Sequence, residues 1–92
     1  MAADLKLKKK VEQALRKACE NDQDAEIRLD DVEPDRIGGI VLSVVFEPLS
    51  PTDRQDLIWQ FLDDALTTYE RTRISFIVTD TPREYAVLTG SD

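Results

Sequence analysis

Histidine is missing from all 92 residues. Its absence removes Cys-His and Ser-His catalytic pairs, imidazole metal sites and the one side chain that ordinarily titrates near neutral pH. Cysteine is nearly missing too: Cys19 stands alone, so no intrachain disulfide can form and a disulfide-stapled secreted mini-protein is excluded. No apolar run approaches the roughly 20 residues that span a bilayer. The residues after Met1 lead into lysines without a signal-peptide hydrophobic region. A cytoplasmic location and no membrane partner are therefore expected. Glycine occurs only at Gly38, Gly39 and Gly90, and neither a phosphate-cradling loop nor a nucleophile elbow can be assembled from that spacing.

What is present describes a folded chain, 41% hydrophobic and 34% charged, with 12 basic against 19 acidic residues and a net charge of -7. The length suits one small α+β domain over 1–92, because a second independent core would leave each half too small to offset chain entropy. Fraying is expected at 1–3 and 90–92. Charge is unevenly placed: residues 1–20 hold Lys6, Lys8, Lys9, Lys10, Arg16 and Lys17 against three acids, whereas residues 21–35 hold seven acids against Arg28. A lysine cluster of this kind is more often a solvated helix face than a binding patch, and the overall acidity argues against a broad phosphate-binding surface.

Asp4 is placed to cap a first helix, in which Leu7, Val11, Ala14, Leu15 and Ala18 recur at three-and-four spacing. Ala25, Ile27 and Leu29 then alternate with Glu26, Arg28 and Asp30 as in a half-exposed strand. Asp31 to Gly39, with Pro34 and the Gly38-Gly39 pair, reads as the connection to a second strand over Ile40 to Phe46. Ser50-Pro51-Thr52-Asp53 predicts a capped entry to the main core helix, whose stripe runs through Leu57, Ile58, Phe61, Leu62, Ala65, Leu66 and Tyr69. Ile74, Phe76 and Val78 alternate with Arg73, Ser75, Ile77 and Thr79 in a third strand, and Thr81-Pro82-Arg83-Glu84 opens a short last helix. The expected fold is a two-layer α+β sandwich of order αββαβ(α). Its three-stranded mixed sheet should carry helices on one face, with the first two strands antiparallel and the strands flanking the main helix parallel.

Candidate chemistry is sparse. The adjacent Asp63 and Asp64 and the isolated Glu47 and Glu84 lack the facing geometry of a carboxylate pair, and Asp30, Asp31, Glu33 and Asp35 match no calcium loop. No catalytic residue, metal site or cofactor is expected, and Cys19 reads as a small buried hydrophobe. Trp59 stands off the centre of its helical stripe, either packed against a loop or offered to a partner. With Arg54, Lys8, Lys9, Lys10 and Arg73 it forms the set of interface candidates.

The order of elements, the hydrophobic strand Ile40 to Phe46, the Ser50 to Arg54 helix entry and the closing Ile74 to Glu84 segment resemble the BolA-like proteins over about residues 5–85. That resemblance implies a small αββαβ domain, partnership with monothiol glutaredoxins, and iron–sulfur trafficking or transcriptional regulation. The family's histidine ahead of the last strand would fall near Arg73 or Ile74, and this chain has none. The same order is similar to nucleic-acid-binding KH domains, but no GxxG joins two helices here. The leading expectation is a non-enzymatic protein-binding or regulatory adaptor, a glutaredoxin being the partner the resemblance implies. The alternatives are a KH-like module contacting phosphates through Lys6, Lys8, Lys9, Lys10 and Arg54, or a homo-oligomeric structural subunit, in its simplest form a homodimer.

Overall fold

Apolar spacing in the first segment produces α1 (Leu5–Ala18), which buries Leu7, Val11, Ala14 and Leu15 along one side. The computed structural model describes residues 5–88, so Asp4 and both expected frayed ends lie outside the described residues. After α1 come β1 (Glu26–Glu33), β2 (Arg36–Leu42), a 3-10 turn (Val44–Phe46), α2 (Pro51–Ala65), α3 (Thr68–Arg71), β3 (Ile74–Asp80) and α4 (Pro82–Leu88). The sheet order is β1-β2-β3, antiparallel between β1 and β2 and parallel between β2 and β3. This is the expected α+β architecture. The core gathers Val11 and Leu15 of α1, Ile58 and Leu62 of α2, Ile37 and Val41 of β2, and Phe46 from the turn. Each such side chain contributes about 1.5–3 kcal/mol relative to exposure. No helix among the described residues is long and apolar enough to cross a membrane.

Three boundaries and the inward face of one strand differ from the sequence expectation. Residues 31–39 are not an irregular connection: the hairpin pairs Leu29 with Gly39, Asp30 with Gly38 and Asp31 with Ile37, and only Pro34 and Asp35 turn, after a register shift between Asp31 and Glu33. The glycines lie inside the central strand because β1 and β3 approach there too closely for side chains. The second strand ends at Leu42 rather than Phe46. Ser43 donates its hydroxyl to Asp22 Oδ2 at 2.9 Å and accepts from Val45 N–H at 3.2 Å, while Val44 N–H donates to the same carboxylate at 3.1 Å. Side-chain acceptors thus take backbone donors that a strand would have used, and this outweighs the β propensity of Val44, Val45 and Phe46. Burial opposes ionisation of Asp22, but donors from Ser43, Val44 and Asp24 outweigh it and hold the carboxyl below its ordinary range.

The main helix also stops early. Leu66 turns extended to bury its side chain, and Thr67 starts α3 with a reciprocal capping box to Glu70. Tyr69 therefore leaves the core stripe and stands 69% exposed. The fourth difference is in β3. A register shift opposite Ile37 and Gly38 lets Ile74 enter the core but sends Ile77 and Thr79 inward after it, so Phe76 and Val78 point away from the helices.

Candidate protein-binding surface

Two helices, α1 and α2, cover one face of the sheet, and the inversion in β3 gives the opposite face an apolar character. Val32 of β1 is 40% exposed, and Phe76 and Val78 of β3 are 48% and 41% exposed. With Arg28, Asp30 and Ile40 they border a shallow groove of about 290 Å³. Gly38 forms its floor. A Cβ there would lie 2.6 Å from Phe76 Cζ and 2.8 Å from Val32 Cγ1, so the missing side chain is what lets the phenyl ring lie across the central strand. Tyr85 of α4 closes one end, with the Arg28 guanidinium 5.7 Å from its ring centroid.

Arg54 fixes the helix that carries Tyr85. Its Nε donates to the carbonyls of Phe46 at 2.9 Å and Leu49 at 3.0 Å, and its two terminal nitrogens meet Glu84 Oε1 and Oε2 at 2.6 and 3.1 Å. Glu84 also accepts from Thr81 N–H, whose side chain accepts from Glu84 N–H, the capping box expected from Thr81-Pro82-Arg83-Glu84. These donors, the Arg54 fork first, hold the Glu84 carboxyl down at about 2.

The sequence-derived candidates lie away from this face. Arg54 is only 7% exposed and its guanidinium is committed within the fold, which corrects its reading as a phosphate contact. Trp59 is half-buried against the core: its indole N–H donates to Gln55 Oε1 at 3.0 Å and Arg71 lies 5.2 Å over its ring. Gln55 in turn donates to the Ile77 carbonyl at 2.8 Å, so the tryptophan is part of the α2–β3 seam. Lys8 pairs with Asp31 at 3.0 Å and Lys10 with Glu70 at 2.9 Å, while Lys9 is exposed on α1. Arg73 bonds the Asp35 carbonyl and donates to Tyr69 Oη at 3.0 Å, tying the hairpin turn to α3. Val32, Phe76 and Val78 were not among the candidates. Their signal was the glycine pair adjoining an apolar run, which marks close approach inside a strand as readily as a loop.

A crystal structure of a Bol-like protein from Babesia bovis matches this arrangement with a TM-score of 0.61 and 22% identity, covering 89% of this chain and 92% of that one. The fold is BolA-like. No protein-family model matches the chain, and no curated protein matches its sequence.

The BolA resemblance carries an expectation of iron–sulfur handling, and the described residues do not fit it. Such clusters are held by thiolates or, less often, imidazoles. The chain has no histidine, and Cys19 is 1% exposed in the core. Burial pushes its thiol up, aided by Asp22 and opposed by Ser43. No cluster of metal-binding side chains occurs among the described residues. Cys19 should accordingly resist a thiol-alkylating reagent at neutral pH and react fully in urea. Rapid stoichiometric labelling of the folded BolA-like domain would contradict the buried placement.

Proposed function

We propose that this chain is a non-enzymatic adaptor that docks a protein partner on the uncovered face of its sheet. The observation that carries the reading is the apolar strip of Val32, Phe76 and Val78 on a face whose opposite side is packed by α1 and α2. Every buried side-chain nitrogen and oxygen among the described residues has a hydrogen-bond partner, as a polar interior that serves the fold requires. A glutaredoxin is the partner the BolA-like fold suggests, and contact with it here would run through protein surfaces without a shared cluster.

The test is affinity capture of tagged protein from native extract, with nuclease treatment and at low and high salt, using wild type and Phe76→Asp in parallel. Phe76 is half exposed and its ring lies outside the core, so the variant should keep its circular dichroism spectrum and a cooperative unfolding transition, with the midpoint lowered only by the loss of one half-buried ring. A protein partner that survives nuclease and is lost with Phe76→Asp supports the adaptor. Recovery of nucleic acid that disappears at high salt would overturn it in favour of the KH-like alternative.

A further inference from the structure

We propose that the partner element seated on this face is an amphipathic helix, apolar toward the sheet and carrying Lys or Arg where it passes β1. The inference rests on the adaptor reading and adds the chemistry of its partner. A sheet face of apolar side chains around a glycine floor accepts a helix when its width matches. Strands lie about 4.8 Å apart, so three strands span about 10 Å between outer axes, close to the diameter of one helix. The face already takes a helix at one end, where α4 sets Tyr85 against Arg28. Beyond Tyr85 the groove continues past Val78 and Phe76 toward Val32. A second helix beside α4 would complete the layer that the sheet lacks on this side.

Charge selects the occupant. β1, which borders the groove, carries Glu26, Asp30, Asp31 and Glu33 against Arg28 alone. Arg28 is itself held by Glu26 at 2.8 Å, Asp31 is turned to Lys8 at 3.0 Å and Glu33 lies 3.8 Å from Arg36, which leaves Asp30 as the acid that faces the groove. Asp30 lines the groove beside Val32. A second copy packed face to face would bring two Asp30-bearing borders together on chains that each carry a net charge of -7, which disfavours self-association here. A cationic helix meets the same border with complementary charge. The basic side chains of this chain's own α1 lie on the covered side of the sheet, where Lys8 and Lys10 are already paired.

Two synthetic helices of about 18 residues, five turns, with the same leucine face and either lysine or glutamate elsewhere, test this by amide chemical-shift mapping on the isotope-labelled full chain. The lysine peptide should shift amides around Val32, Gly38, Phe76 and Val78. Asp30→Lys should weaken its binding severalfold at low salt, and Phe76→Asp should abolish it while the spectrum stays folded. Equal binding of the glutamate peptide, or shifts confined to the seam between α1 and α2, would overturn the inference. Failure of both peptides, with capture still dependent on Phe76, would overturn the cationic helix and leave the adaptor standing. Capture indifferent to Phe76→Asp would overturn the adaptor itself.

Discussion

Replacing Arg54 with methionine is expected to destabilise the domain by about 2–3 kcal/mol, the range for removing a charged donor from buried acceptors. In a chain of this size that lowers the melting temperature by roughly 10–20 °C. The methionine keeps most of the apolar stem. What is lost are the donors to the Phe46 and Leu49 carbonyls and the fork that holds Glu84. Phe46 anchors the turn after β2 in the core, so Arg54 joins three pieces, the turn, α2 and α4, through one guanidinium. Glu84→Gln should cost less, because Glu84 is part exposed and water can replace its partner. The double variant should fall short of the sum of the two singles.

The same pair predicts a pH dependence. The folded Glu84 carboxyl sits at about 2 against an ordinary 4.5, so the unfolded chain binds the proton more readily. Its contribution is complete above pH 4.5 and is lost as pH falls from there toward about 2. Urea titrations at neutral pH and at steps through that window should show the gap between wild type and Arg54→Met narrowing as acid is added. A gap of constant size would mean that the Arg54–Glu84 pair does not set the ionisation of Glu84.

Much of the architecture was legible because local signals agreed with burial. The Ser50-Pro51 and Thr81-Pro82 entries each place an acceptor, a proline and an acid where a helix start needs them, and both helices begin there. The stripe of α1 and the antiparallel-then-parallel sheet followed from apolar spacing and connection length. The candidate docking face was harder to read because it depends on contacts distant in sequence. The alternation of Ile74, Phe76 and Val78 with Ser75 and Ile77 favours Phe76 as an inward residue, and only the register shift against β2 turns Ile77 inward and Phe76 outward. The role of Arg54 is hidden for a similar reason: on a helical wheel it is a surface cation, and its acceptors come from eight residues back and thirty residues ahead. Trp59 is amphipathic in sequence, and the Gln55 bond and the Arg71 cover that settle its environment cannot be read from spacing.

The adjacent glycines of β2 should respond differently to the same small change, Gly39→Ala costing about 2–3 kcal/mol, within the range for overpacking, and Gly38→Ala less than about 1 kcal/mol. At Gly39 a new Cβ would stand 2.5 Å from the Arg28 carbonyl oxygen and 2.6 Å from Leu29 Cδ2. The first of these is main chain held in the hairpin, so relief requires β1 to move away from the strand it pairs with. At Gly38 the close atoms are the ring tip of Phe76 and a methyl of Val32, side-chain ends on an exposed face. They can rotate outward with little loss of burial. Gly39→Ala should therefore appear in the urea midpoint, followed by the fluorescence of Trp59, whereas Gly38→Ala should leave that midpoint near wild type and shift the Phe76 ring resonances. It should also weaken capture of the partner, since the ring no longer lies flat across the groove. Equal loss of stability at the two positions would show that Phe76 is as firmly held as the backbone of β1, and the face would then be a rigid part of the fold with no ring free to adapt to a partner.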